Sequence, residues 1–307
     1  MKFTIHQSSR SGGRPVNQDR VAYSYSKNAV LLVLADGMGG HHHGEVAAQL
    51  AVKMLTGAFQ RAAKPDLDDV TDFLQTEIVK LHEAIHQLAE NRGLDETPKT
   101  TLVVGILQNN TLYCAHIGDS RLYHFRHGKR LSRTEDHSIV QMMLKQGKLD
   151  AVSVMHHPDR HKIYNCLGSE LPPTIEIAPP RQLQAGDQIL LCSDGLWSQL
   201  SDERIQDILH TGLGVAHAVP SLLDAAEKLG GKNMDNLSAV GVQWESKSEQ
   251  PLTISTLEMS LAQSHTILGL TEPDEHGIAA MAADLDEEDI ERAIAEINAA
   301  IKRSKLP

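Results

Sequence analysis

Cysteine is scarce in this sequence: Cys114, Cys166 and Cys192 are the only three in 307 residues. They lie far apart, form no CxxC pair and sit beside apolar residues at predicted strands or their ends. That pattern fits ordinary buried thiols in a reducing compartment and gives no disulfide framework. Long apolar runs are missing too. No stretch approaches the length needed to cross a bilayer, and the N-terminus MKFTIHQSSR has no apolar core of a leader, so a cytoplasmic protein with no membrane partner is expected. Positive charge is in deficit. The formal net charge of -11 argues against a nucleic-acid partner gripped through its phosphates. The acid is uneven: residues 246–307 carry twelve Asp and Glu against five Lys and Arg, about −7, which leaves about −4 for residues 1–245.

At this length the chain can bury a full core. Residues 3–8, 21–25 and 29–35 read as strands, the last a continuous apolar run, AVLLVLA, that ends at Asp36-Gly37 and would be buried on both faces. Residues 44–63 and 66–92 carry apolar side chains at helical spacing, as in Leu74, Ile78, Leu81, Ile85 and Leu88. Strands are predicted next at 101–108, 111–117 and 121–126, joined by short polar turns as in an antiparallel meander, followed by a helix at 137–146. Residues 147–173 lack periodicity and contain Pro158, Pro172 and Pro173, which reads as a long irregular excursion. A strand at 188–192, helices at 202–210 and 215–229 and a strand at 238–244 close the core. Strands at both ends with helices inserted between them imply an α+β sandwich of two antiparallel sheets covered by helices.

Four segments share one design, an Asp beside a small or polar residue at a strand end: LADGMGG, HIGDS, LCSDG and NMDN. One Asp-Gly after a strand is normally a turn. Four together, Asp36, Asp119, Asp194 and Asp235, supply hard anionic oxygens with no zinc-type Cys or His spacing, which favours magnesium or manganese. A two-metal hydrolase follows, in which ions about 3.5–4 Å apart share and acidify a water for in-line attack on phosphorus. Gly37, Gly39 and Gly40 let the backbone approach an ion, so the Gly37 carbonyl is a further candidate ligand. Arg14, in GGRPVNQD, offers a planar fork suited to phosphate, although a solvated surface Arg would look the same in sequence.

In order and spacing, RPVNQD (14–19), LADGMGGH (34–41), TT (100–101), HIGDSRLY (116–123), EDHS (135–138), HPDR (157–160), LGS (167–169), LCSDGLW (191–197) and MDNLSAV (234–240) resemble the motifs of the bacterial metal-dependent protein phosphatases, the PPM or protein phosphatase 2C family. The resemblance spans about residues 3–244. It implies an α-β-β-α sandwich and hydrolysis of phosphoserine and phosphothreonine in proteins with Mg2+ or Mn2+, two core ions and a third. Asp36 would bridge two ions with the Gly37 carbonyl, Asp194 and Asp235 completing their shells. Asp119 would help hold the third, Asp19 would act directly or through water, and Arg14 would bind the substrate phosphate. Phosphorylated proteins of a bacterial serine/threonine kinase pathway would be the partners.

Several residues depart from the family pattern. Met38 stands where eukaryotic members often carry a His proposed as general acid, leaving His41 the nearest substitute for the acid, with Asn236 a neighbour that would position the ligands. His161 stands where the bacterial pattern commonly has Asn, and Lys99 precedes Thr100-Thr101 where a small residue is frequent. By analogy residues 142–170 would form a flap beside the site, with Met142, His157 and Arg160 as its candidate contacts. The expected organisation is a catalytic domain at 1–245, a linker at 246–283 and an amphipathic helix at 284–305, whose stripe Ile290, Ile294, Ile297 and Ile301 must bury against the domain, a second copy or a partner. The alternative to an enzyme is a pseudophosphatase-type binding module using flap and tail; loss of a metal Asp would betray it, and none is lost.

Overall fold

The computed structural model describes residues 1–38, 43–150, 153, 157–245 and 267–268. Its strands are β1 (Lys2–Arg10), β2 (Asp19–Tyr25), β3 (Ala29–Met38), β4 (Lys99–Thr100), β5 (Leu102–Gln108), β6 (Thr111–Ile117), β7 (Arg121–Arg126), β8 (Lys129–Arg133), β9 (Glu176–Gln182), β10 (Gln188–Cys192), β11 (Leu237–Glu245) and β12 (Ile267–Leu268). The helices are α1 (Gly44–Ala62), α2 (Val70–Arg92), α3 (Ile139–Lys145), α4 (Asp194–Trp197), α5 (Asp202–Leu209) and α6 (Val215–Gly230). One sheet runs β1-β11-β10-β7-β8 and the other β12-β2-β3-β5-β6-β9, with every paired strand antiparallel.

The four layers follow from the two-residue period of a strand. Along β3, Val30, Leu32 and Leu34 enter the core between the sheets, while Leu31, Val33 and Ala35 face α1 and α2. Along β10, Ile189 and Leu191 enter the same central core, and Leu190 and Cys192 face the α4–α6 layer. Apolar residues on both faces are what a sheet covered on both sides requires, and the expected α-β-β-α sandwich is the fold observed. Three of the described helices, α2, α3 and α5, begin at side-chain caps from Asp69, Ser138 and Ser201; Asp69 accepts from the backbone N–H of Thr71 and Asp72 at 2.9 and 3.0 Å, which starts α2 four residues later than the periodicity suggested.

The expected meander is corrected. β5 and β6 do form a hairpin, its Asn109-Asn110 turn at positive φ, but β7 leaves for the opposite sheet and pairs with β10 and β8. The crossing is Gly118-Asp119-Ser120, with Gly118 at φ 99°. Four strands escape the sequence pattern: the two-residue β4 and β12, basic β8, and β9, whose Pro179 and Pro180 are tolerated at the sheet edge. The three thiols are free and buried, and burial pushes those of Cys114 and Cys192 up to about 12, so they are inert at neutral pH. Among the described residues no helix is long and apolar enough to cross a membrane. The predicted linker and C-terminal helix lie outside the described residues, apart from Ile267–Leu268 on the edge of β2.

Candidate active site

Five carboxylates gather where both sheets end. Asp19 opens β2 directly across from Asp36 in β3. Asp194 begins α4 immediately after β10, Asp235 precedes β11, and Asp119 sits on the crossing between the sheets. Asp19 and Asp119 are buried, whereas the Asp235 side chain is 44% exposed at the rim. Burial raises the Asp36 carboxyl well above the usual range, and the carboxylates of Asp19, Asp194, Asp119 and Asp235 raise it further. Burial does the same for Asp119, with Asp194 and Asp136 adding to it and Arg121 opposing. Asp19 is pushed up to about 7 by burial against hydrogen bonds from Ser193 and Ser238 that favour its charged form, with Asp194 and Asp235 raising it again.

A hydroxyl ladder stitches the sheets beneath this cluster. Asn17 Nδ2 donates to Ser9 Oγ, which shares a 2.7 Å hydrogen bond with Ser238 Oγ. The Ser238 N–H donates to Ser193 Oγ, which donates to Asp19 Oδ2 at 2.7 Å. The opposite carboxylate oxygen, Asp19 Oδ1, is buried without a partner. Unpaired and surrounded by like charge, it is an acceptor for a cation. Divalent ions therefore fit these residues, and an all-oxygen set suits magnesium or manganese.

The loops are held by backbone contacts that admit little else. Asp36 N donates to Thr101 Oγ1, its carbonyl accepts from Thr101 N and Thr100 Oγ1, and Thr101 Oγ1 in turn meets Ser120 Oγ at 2.8 Å. One threonine thus ties Asp36 to the residue after Asp119. Gly37 is buried against the start of α1, where a Cβ would lie 2.4 Å from the Gly44 carbonyl group. Asn236 spends its amide on the loop that carries Arg14: its Nδ2 donates to the Ser11 and Val16 carbonyls and its Oδ1 accepts from Gln18 N. Arg14, 55% exposed, donates to Asp235 Oδ2 at 2.9 Å.

The excursion after α3 is anchored toward its C-terminal end, where Ile163 pairs with Ser138 and Leu167 with Thr100. Met142 lies on the exposed face of α3, and Arg160 N bonds the His157 carbonyl. Among the described residues none of Met142, His157 and Arg160 makes a hydrogen bond or ion pair with the five carboxylates. His161 does reach one, with Nδ1 3.6 Å from Asp194 Oδ2. His41 lies outside the described residues. Sequence reasoning quoted the motifs that hold Ser193, Ser238 and Thr101 without giving these hydroxyls a role, and it missed Ser9; the available signal was a hydroxyl beside the apolar residues of LCSDG and NLSAV.

A second group of metal-ligating types, His116, His137 and Glu176, lies with ligand atoms within 4.8 Å of one another. His137 Nδ1 accepts from Gly118 N and Asn165 Nδ2, so its Nε2 carries the proton and points it at Glu176 Oε2, 3.3 Å away. With no lone pair left for an ion, His137 instead grips Gly118 twice, since its own N–H donates to the Gly118 carbonyl at 3.0 Å.

A carboxylate cluster joining the ends of two sheets in an α-β-β-α sandwich is the arrangement expected of a metal-using hydrolase. The sequence profile of the protein phosphatase 2C family matches residues 7–230, and the chain belongs to that family of protein phosphatases. It is similar to the serine/threonine phosphatase stp of Listeria welshimeri, 30% identical over 241 residues that make up 78% of this chain and 90% of the Listeria protein. Its fold is similar to the crystal structure of the Mycobacterium tuberculosis serine/threonine phosphatase PstP/Ppp, with a TM-score of 0.69 and 34% identity over 80% of this chain and 99% of that one. A catalytic domain of PstP in complex with two manganese ions is likewise similar, with a TM-score of 0.66 and 32% identity over 80% of this chain and 99% of the other.

Proposed function

We propose that this chain removes phosphate from phosphoserine and phosphothreonine in proteins of a bacterial serine/threonine kinase pathway, with magnesium or manganese held by Asp36, Asp194, Asp235, Asp119 and the Gly37 carbonyl. The observation that carries this reading is the unpartnered Asp19 Oδ1 inside a group of carboxylates that raise one another's pKa. Bound divalent ions supply a water of lowered pKa and neutralise charge on the phosphoryl group.

The residues of the chain do the rest. Arg14, at the solvent-facing rim and tied to Asp235, presents its fork to the phosphate. Asp19 orients the shell from beneath, itself aimed by Ser193. Asn236 holds the Arg14 loop in register with Asp235, and Thr101 keeps the Asp36 and Asp119 turns together. The exposure of Arg14 and Asp235 supports a phosphate presented on a large protein. Replacing Asp36 or Asp194 with Asn is expected to abolish manganese binding in calorimetry and to cut release of phosphate from a phosphothreonine peptide by at least about a hundredfold. Undiminished turnover in either variant overturns the proposal.

A further inference from the structure

The outer helix layer of the five-stranded sheet is not closed. α5 and α6 leave between them a groove of about 480 Å³ floored by Leu200, Ile208, Ala225 and Leu229, with Arg204 and Lys228 on its sides. Leu229 is 66% exposed. The acid on the same rim, Asp224, is already engaged by Arg10 of β1 at 2.8 Å, and Glu227 is bound by the same guanidinium. Among the described residues neither Arg204 nor Lys228 has an ion-pair partner. An apolar trough flanked by two unpaired cations is unusual on a chain with a formal charge of -11.

The segment that matches this surface is the chain's own. Residues 284–305 carry Ile290, Ile294, Ile297 and Ile301 at a spacing that predicts one apolar helical stripe, and Asp284, Asp286, Glu287, Glu288, Asp289 and Glu291 crowd its first half. Its stripe has the character of the groove floor and its acids have the sign that the rim lacks. The path is short. α6 lies on β11, where a Cβ on Gly241 would come within 2.7 Å of Val219, and is bonded to β1 through Arg10, so it covers the edge of its sheet. The chain is next seen at Ile267–Leu268, on β2 at the matching edge of the other sheet. From there residues 269–283 span up to roughly 50 Å when extended, enough to turn around β1 onto α6.

We propose that residues 284–305 dock as a helix in the α5–α6 groove of the same chain, with Ile294 and Ile297 on the apolar floor and the acidic first turns against Arg204 and Lys228. This surface is independent of the metal chemistry above. The test is amide hydrogen exchange of the full-length protein, alone and as Ile294→Asp/Ile297→Asp, Ser221→Trp and Arg204→Glu/Lys228→Glu variants, with light scattering across a range of concentrations. Docking predicts that peptides covering 284–305 exchange about tenfold or more slowly than unstructured chain. Each variant is expected to remove that protection, and the effect is expected in a monomer at every concentration. Tail amides that exchange at the unstructured rate in the parent protein overturn the proposal. So does protection that survives both groove variants, or protection that grows with concentration alongside a dimer, which would make a second copy the occupant.

Discussion

Ser193 holds one oxygen of Asp19 and leaves the other bare, and that asymmetry sets what the site can be asked to do. Ser193→Ala removes the donor to Asp19 and the acceptor of Ser238 N. A loss of about 1–3 kcal/mol in denaturant unfolding is expected, together with manganese binding weakened about 10–100-fold in titration. Asp19 also fixes a pH dependence. Its carboxyl titrates near 3.8 when unfolded and about 7 in the metal-free fold, so the folded state binds the proton more tightly. The stability this contributes is complete below pH 3.8 and is lost as pH rises through 7. Between pH 4 and 7 the denaturation midpoint of the metal-free protein should therefore fall relative to that of an Asp19→Asn variant. Manganese, which displaces the proton, should bind more tightly across the same rise. A difference between the two proteins that stays flat from pH 4 to 7 would contradict this account of Asp19.

At the scale of elements, the crossing from β6 to β7 and the short helix α4 carry Asp119 and Asp194, and one side chain braces both. Arg121 forms a two-point ion pair with Asp136 at 2.8 and 2.6 Å and stacks its guanidinium 3.7 Å from the centre of the Trp197 ring. Asp136 is as buried as its partner, so Arg121→Met strands a charge in the core. A loss of about 3–5 kcal/mol in chemical unfolding is expected, with disturbed near-ultraviolet dichroism from Trp197. The strand-end setting of Asp36, Asp119 and Asp194 was legible because apolar runs buried on both faces stop abruptly at each. Which sheet β7 joins was not legible, since a two-residue period looks the same in either, and only the positive φ of Gly118 sends the chain across. β9 was hidden by its prolines, which an edge position permits and a pattern of propensities penalises. The Ser9–Ser238–Ser193 ladder was hidden because a serine in a strand is as readily solvated as buried.

At the scale of the molecule, the sheets meet through an apolar core and, at one end, through carboxylates that belong to both: Asp19 and Asp36 from one, Asp194 and Asp235 from the other. Ions held there would cross-link the layers. Chelation should lower the melting temperature, and manganese at about a hundred times its dissociation constant should restore about 2.7 kcal/mol. Unchanged melting after chelation would show that the ions add nothing to the sandwich. The strand order carries one more consequence. β11, the last strand of the five-stranded sheet, lies between β1 and β10, so Lys2 pairs with Glu245 and Arg10 with Leu237. A chain leaving the ribosome holds its first strand without a partner until its last has emerged, and Asp235 arrives only with that strand. Nascent chains arrested before Leu237 should release no phosphate at all: synthesis passes through no half-active stage.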